Sequence, residues 1–255
     1  MLTIHPIPAF TDNYIWCLYN DTYAYVVDPG EHQPVIDFLQ TNHLTLAGIL
    51  VTHHHNDHIG GIRQLIAQYQ DIPIWGPATE RFPFVNRKVK EGDTVELDKI
   101  GITLQAWEVP GHTLDHITYI GDNKLFCGDT MFSAGCGRLF EGNAQQMQKN
   151  FDRFRTLPES TKVYCTHEYT LSNLEFALAA WPNNGNIAEH KTWAKEQRAQ
   201  HQPTLPSSIA QEIQVNPFMN TNNADIKMNA ERHFSAKFET PNDVFAALRQ
   251  WKDTF

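Results

Sequence analysis

Positive charge, cysteine pairs and long apolar runs are all scarce in this sequence of 255 residues. Lys and Arg number 20 against 29 Asp and Glu, for a net charge of -9. Nucleic-acid binding draws on a basic surface, so no nucleic-acid partner is expected. Cys17, Cys127, Cys136 and Cys165 are widely separated and form no CxxC pair. In a chain of this length they read as reduced thiols, which excludes a disulfide framework. No uninterrupted apolar stretch approaches the ~20 residues that cross a bilayer. The opening MLTIHPIPAF lacks a basic segment followed by an apolar run, so no secretory signal is expected and the expected location is cytoplasmic, with no membrane partner. No repeat, low-complexity tract or coiled-coil pattern stands out, and a monomer is expected.

What is present is an ordinary globular composition, 41% hydrophobic and 19% charged. The length suits one large domain or two modest ones around a sizeable core. Histidine is plentiful, at 13 residues. The acidic excess is uneven: residues 1–168 hold 20 Asp and Glu against 12 Lys and Arg, and residues 169–255 hold 9 against 8. Two divalent cations would offset half of the first excess.

Short β-rich runs punctuated by Gly, Pro, Asn and Asp fill the first two thirds. They fall at Leu2–Ile7, Tyr14–Tyr19, Tyr23–Asp28, Leu46–Thr52, Thr103–Val109, His116–Ile120, Lys124–Cys127 and Lys162–Thr166. Helical periodicity intervenes at about 33–42, 59–70 and 143–156, which predicts sheets covered by helices. After His167 the strand runs stop, and helices are predicted at about 170–181, 187–201 and 207–214. A last helix starts at Thr240-Pro241-Asn242-Asp243, a cap, a first-turn proline and a first-turn acid. A soft boundary falls near 168–172.

The chemistry gathers at Thr52-His53-His54-His55-Asn56-Asp57-His58. A buried apolar strand, Gly48–Val51, ends there and a helical pattern follows. His53, His55, Asp57 and His58 thus share one turn at a strand's end, where α/β proteins commonly bind ligands. An isolated HxH is weak evidence, since His-rich turns are often solvated loops. HxHxDH after an apolar strand is much stronger, because imidazole and carboxylate together suit zinc, iron or manganese. His54 is expected to point away. Three further ligand types each follow a strand: His112 in Pro110-Gly111-His112-Thr113, Asp129 in Gly128-Asp129-Thr130, and His167 in Thr166-His167-Glu168. A consistent assignment gives site one His53, His55 and His112 and site two Asp57, His58 and His167. Asp129 bridges both, since a carboxylate has two oxygens to share. Each ion then keeps an open position, as catalytic sites do.

These blocks resemble the metallo-β-lactamase superfamily, whose signature is the THxHxDH turn at 52–58. Within it the chain is most similar to the hydroxyacylglutathione hydrolase (glyoxalase II) family, over essentially its whole length. Pro8-Ala9-Phe10-Thr11-Asp12-Asn13-Tyr14, the block from Gly128 to Gly142, Thr166-His167-Glu168-Tyr169-Thr170 and Asn216-Pro217-Phe218-Met219 occur in that family's order. The resemblance implies an α/β (α+β) fold: a four-layer αββα sandwich over 1–168 with a dinuclear metal centre, then a helical glutathione-binding region over 169–255. It implies that the substrate is an S-(2-hydroxyacyl)glutathione, typically S-D-lactoylglutathione, cleaved to D-lactate and glutathione in the second step of methylglyoxal detoxification. The implied cofactors are two divalent ions, zinc first, with iron or manganese admitted by the same donors. All seven family ligands are present. The family's glutathione contacts carry over to Arg138, Phe140, Tyr169, Arg249 and Lys252. Position 138 is Lys in some members and 140 is often Tyr, so Phe140 keeps an aromatic wall and loses a hydroxyl. On the residues alone, Arg249 and Lys252 are neighbours on one helical face and read as a solvated, dipole-favoured helix end. The resemblance makes them contacts to an anionic peptide. Asn220 stands where some members carry Arg. Asp115, where many carry Gly, is a turn residue or an acceptor for His112 or His116.

The mechanism so implied has two metals about 3.5–4 Å apart sharing a water and lowering its pKa, and the hydroxide attacks the thioester. Asp57 orients the nucleophile or takes its proton. The leaving thiolate, with a conjugate acid near ~8.5, needs no general acid. Cys136 reads as packing in a Gly-rich loop. A β-lactamase usually has Cys where Asp129 stands, and a lactonase lacks the C-terminal segment. The acidic balance disfavours a nuclease. A glutathione persulfide dioxygenase with one iron is the nearest chemical rival. A metal-dependent binding module without turnover is the rival from another class.

Overall fold

A computed structural model describes residues 2–255. Contacts between Cα atoms divide the chain into two units, Met1–Val109 with Asp115–Gly128, and Pro110–Leu114 with Asp129–Phe255.

The first unit opens with β1 (Thr3–Ala9), β2 (Asn13–Tyr19) and β3 (Tyr23–Val27), each antiparallel to the next. Helix α1 (Gln33–Thr41) returns the chain to β4 (Thr45–Leu50), parallel to β3. After α2 (Asn56–Ile59) and α3 (Ile62–Gln68) come β5 (Ile74–Pro77) and β6 (Arg87–Val89), which extend the parallel side. Alternation along β2 sends Ile15 and Cys17 into one core with Val26, Ile49, the α1 residues Val35 and Leu39, and the α3 residues Ile62 and Leu65. Tyr14, Trp16 and Leu18, on the opposite face of β2, are buried as well. A sheet covered on both faces needs such near-continuous apolar strands.

A second sheet begins with β7 (Thr94–Leu97), β8 (Ile102–Glu108), β9 (Ile117–Gly121) and β10 (Lys124–Gly128), antiparallel throughout. It meets the first where β4 ends: the Tyr119 hydroxyl donates to Val51 O at 2.8 Å, and Ile117 N donates to Thr52 O at 3.0 Å. The single helix predicted at 59–70 is broken at Gly60-Gly61. Glycine is costly within a helix, and Gly61 N donates instead to Pro29 O at 3.0 Å. β5, β6 and β7 have four residues or fewer, too few for an alternation to be read.

The second unit holds a small hairpin, β11 (Met131–Phe132) with β12 (Gly135–Cys136), and α4 (Ala144–Arg155), entered through a capping box between Asn143 and Gln146. There follow β13 (Lys162–Cys165), α5 (Thr170–Ala180), α6 (Gly185–Ala199), β14 (Ser207–Ser208), α7 (Ile209–Val215), α8 (Ala224–Phe234) and α9 (Pro241–Asp253). At its heart Phe218 has Phe151, Phe176 and Phe245 at ring distances of 6.2, 6.0 and 5.1 Å. Such pairs add to their area burial. Helix α9 starts as the sequence predicts, with Thr240 and Asp243 forming a capping box around Pro241. Besides the hairpin β11–β12, two elements depart from the reading. β14 pairs Ser207 with Val163 inside the helical stretch, and α8 starts on the cap Asn223, whose side chain accepts from Asp225 N and Ile226 N. Among the described residues no helix is long and apolar enough to cross a membrane.

Candidate active site

In the first unit the ligand turn is set by strand ends. β3 and β4 are parallel with Val27 opposite Leu50, so Asp28 emerges beside Thr52. Asp28 Oδ1 accepts Thr52 N at 2.8 Å, and Asp28 Oδ2 accepts the Thr52 hydroxyl at 2.6 Å. The only Thr52 hydroxyl proton is thereby committed, so at 3.1 Å from His53 Nδ1 its oxygen accepts. His53 therefore carries its proton on Nδ1 and a lone pair on Nε2. The same Asp28 oxygen takes His58 Nδ1–H at 2.9 Å, which leaves the His58 lone pair on Nε2, 3.5 Å from Asp57 Oδ2. His53 Nε2 lies 3.0 Å from His55 Nδ1, and Asn13 Nδ2 donates to Asp57 Oδ2 at 3.1 Å. The turn is packed against backbone: a Cβ on Gly30 would sit 1.8 Å from Asp57 O. His54 leaves the cluster, with Nδ1 at 3.1 Å from Asp115 Oδ1. Asp115 also lies 3.7 Å from Arg81, so its place is in this side pairing.

The second unit gathers the remaining three. His112 Nδ1–H donates to Arg138 O at 2.8 Å, which turns the lone pair of Nε2 toward Asp129 Oδ2 at 3.5 Å. His167 Nε2 lies 3.4 Å from the same oxygen. All three side chains are buried. His167 is stacked on Tyr169 at 4.7 Å and meets the edge of Phe132 at 5.7 Å. The loop bearing His112 is clasped to 140–142 by Phe140 N to His112 O at 3.2 Å and Gly142 N to Gly111 O at 3.0 Å. Gly137 has to lack a side chain, because its Cβ would come within 1.8 Å of Asp129 O.

Each unit thus aims an imidazole lone pair at a carboxylate oxygen from a distance too long for a hydrogen bond. A lone pair facing a carboxylate oxygen is repelled, most strongly around the buried Asp129 and less at the part-exposed Asp57, and a cation between the two relieves it. Neutral imidazoles with protons fixed on Nδ1 are the form that binds metal. With carboxylates and no thiolate, the donors fit zinc, iron or manganese.

A cavity of about 390 Å³ opens within the second unit. His112 and Asp129 line it together with Arg138, Phe140, Tyr169, Arg249 and Lys252, so all five residues named from the resemblance share one wall with two of the ligand set. Arg249 is 6% exposed. Its guanidinium donates to Cys136 O and to Asp253 Oδ1 and lies over Phe218 at 5.6 Å, while its Nε–H has no acceptor among the described residues. Arg138, at the mouth, lies 3.2 Å from the same Asp253 oxygen. Lys252 lies over Phe176 at 5.2 Å. Burial, then the neighbouring Arg249 charge, pushes its ammonium pKa down to about 8. A larger hollow of about 470 Å³ beside α6 and α7 contains none of the residues predicted from sequence.

Sequence reasoning missed Asp28, Thr52 and Asn13, which hydrogen-bond the candidate ligands His58, His53 and Asp57, and Phe132 and Asn173 in the cavity wall. Asp28-Pro29-Gly30 carried a signal: an acid at the end of an apolar strand, the same position that marked the ligand turn.

Known proteins resemble this chain over its whole length. A model of the metallo-β-lactamase superfamily matches residues 10–167, and the solved structure of ETHE1 from Myxococcus xanthus superposes with a TM-score of 0.65 at 23% identity, over 100% of this chain and 99% of that one. The class is therefore a metallo-β-lactamase fold, two β-sheets with helices, followed by C-terminal helices. A second model, described as the hydroxyacylglutathione hydrolase C-terminus, matches 168–255. The hydroxyacylglutathione hydrolase of Vibrio parahaemolyticus is 48% identical over 256 residues, covering 100% of both chains, and that of Nitrosomonas europaea is 45% identical over 100% of this chain and 97% of its own. The chain belongs to the hydroxyacylglutathione hydrolase family.

Proposed function

We propose that the protein is a metal-dependent thioesterase that cleaves S-(2-hydroxyacyl)glutathione, typically S-D-lactoylglutathione, to glutathione and a 2-hydroxy acid. In the cell this is the second step of methylglyoxal detoxification, carried out in the cytoplasm by a monomer. The observation that carries the reading is the cavity in which His112 and Asp129 stand beside Arg138, Arg249, Lys252, Phe140 and Tyr169. Metal-binding chemistry and a cationic, aromatic wall suited to an anionic peptide thioester share one space. In functional terms, residues 1–168 supply the metal centre and 169–255 most of the glutathione site.

His53, His55, His112 and Asp129 would hold one ion, and Asp57, His58, Asp129 and His167 the other, with zinc as the metal. Bound there, two divalent ions acidify water and polarise a carbonyl. The protein's own groups do the rest. Asp28 fixes His58 directly and His53 through Thr52. Asp57, steadied by Asn13, orients the attacking water or takes its proton. The protein's net charge of -9 gives no long-range pull on an anion, so Arg138, Arg249 and Lys252 must hold glutathione locally, with the Arg249 Nε–H available to it. Phe140 and Tyr169 wall the peptide. The thiolate leaves as an anion.

Metal analysis paired with an assay on S-D-lactoylglutathione, following loss of the thioester, tests this directly. Two equivalents of metal with turnover support it. Oxygen consumption with glutathione persulfide and one iron would replace it with a persulfide dioxygenase. A fully metallated protein without turnover would make it a binding module.

A further inference from the structure

The hairpin β11–β12 is too short to hold itself. Each strand has two residues, and its turn places Ala134 at φ 56, a left-handed conformation that a residue with a Cβ disfavours. Buried side chains from elsewhere in the unit supply what the backbone lacks. Asn173 of α5 donates to Ser133 O at 2.9 Å. Asn216, just past α7, donates to Gly135 O at 2.9 Å and to Phe132 O at 3.3 Å. Glu212 of α7 accepts Ala134 N at 2.8 Å and Asn216 Nδ2 at 2.9 Å, both on Oε2.

Glu212 is 0% exposed, and burial raises its pKa above the ordinary carboxyl range. Placing a carboxyl group in a core is costly unless its hydrogen bonds serve a purpose. The segment it clasps adjoins the active centre. Asp129 lies two residues before the hairpin. Phe132 and Cys136 of the hairpin, and Arg138 just after it, line the cavity with Asp129. Gly137 N donates to Thr130 O at 3.2 Å, which ties the two ends of the segment together.

We propose that Glu212 is a positioning residue of the active centre: through Ala134 and Asn216 it fixes the hairpin, and the hairpin fixes Asp129 and the cavity wall. This rests on reading Asp129 as a metal ligand. In the holoenzyme, Glu212→Ala weakens retention of metal against a competing chelator about ten-fold or more, the range for residues that stand behind a ligand. It lowers kcat by a larger factor than it raises KM. Glu212→Gln restores both properties, because an amide oxygen accepts the same two N–H bonds. Glu212→Asp, one methylene short, falls between.

The proposal is overturned if the Ala and Asp variants, folded by circular dichroism, keep metal affinity and kcat while only Tm falls. It is equally overturned if Gln harms the enzyme as much as Ala. Should the Ala variant not fold, the Asp and Gln variants decide by the same two readouts. Failure of the underlying ligand reading looks different: Asp129→Ala then retains metal like the unaltered protein, whatever Glu212 does.

Discussion

His58 presents Nδ1 to Asp28 Oδ2 at 2.9 Å, and both side chains are essentially closed to solvent, at 0% and 2% exposed. The contact settles which nitrogen of His58 can take a metal. The carboxylate also accepts both Thr52 donors, so one residue sets two imidazoles.

Asp28→Asn should therefore cost metal rather than substrate binding. The amide oxygen can still accept two bonds, but the group cannot accept all three and adds two donors of its own. Metal affinity should fall about 10- to 100-fold, measured by chelator competition, with KM nearly unchanged in the fully loaded enzyme. A D28N variant that holds metal as firmly as the original would show that the proton positions inferred for His53 and His58 do not matter.

Lys252 and Arg249 should separate in mutagenesis, although both line the cavity. Lys252 makes one ring contact and is otherwise turned to the hollow. Arg249 is also a strut, bonded to Cys136 O and Asp253. Lys252→Met keeps most of the aliphatic bulk and should raise KM about ten-fold, in line with loss of one charged hydrogen bond, with kcat within about two-fold. Remote contacts of this kind mainly supply uniform binding. Arg249→Ala should raise KM as well and lower Tm by several degrees, since it leaves Cys136 O without that donor. Equal, unchanged KM values in both variants would remove glutathione from this wall.

The pH dependence has a definite sign. Lys252 loses its proton near pH 8 in the folded protein, whereas an unburied lysine does so near ~10.4. Binding of an anionic substrate needs the charged form, so kcat/KM, which reports the free enzyme, should decline as pH rises through about 8. Stability runs the other way. Between about 8 and ~10.4 the unfolded chain binds more protons at this group, so its contribution to stability rises with pH across that window. Lys252→Met should flatten the alkaline decline of kcat/KM. A decline that persists unaltered in the variant would belong to another group.

The ligand turn was legible because strand, polar break and helix follow each other within a dozen residues. His112, Asp129 and His167 were legible because each stands just past a strand. The residues that hold these candidate ligands were not. Asp28 meets His58 across 30 positions and Glu212 meets Ala134 across 78, and neither separation leaves a local pattern. Short elements escaped for a similar reason. The two residues of β14 are a strand only because Lys162 and Val163 lie opposite, and the break between α2 and α3 is fixed by the approach of the 29–32 segment as much as by Gly60-Gly61. Arg249 and Lys252 show the limit from the other side. Their helical spacing described a solvated end equally well, and only three-dimensional packing puts them on a cavity.

Thiol chemistry gives an inexpensive check on the core. Cys17, Cys127, Cys136 and Cys165 are all buried and form no disulfide, and burial pushes the thiols of Cys17 and Cys136 up to about 12. Thiolate is the reactive form, so iodoacetamide at pH 8 should leave the native enzyme unlabelled and active, while the denatured chain takes up four equivalents. Rapid labelling of Cys136 in the folded protein would contradict its burial in the cavity wall.

His58→Ala tests whether both metal positions are required. The side chain is 0% exposed, and its removal takes one of three protein side chains assigned to the second position besides the bridging Asp129. It also withdraws one of the two donors to Asp28 Oδ2, leaving the Thr52 hydroxyl. The variant should keep one equivalent of metal by elemental analysis, held by His53, His55, His112 and Asp129, and turn over at least about 100-fold more slowly, beyond the usual cost of a residue that merely supports a ligand. Its fold can be followed separately by Tm, which should fall because a metal that binds only the native state stabilises it. A variant with one metal and undiminished kcat would mean that a single ion suffices and that Asp57 and His167 serve some other purpose. A variant that retains both ions would mean that the lone pair facing Asp57 at 3.5 Å is not a ligand at all.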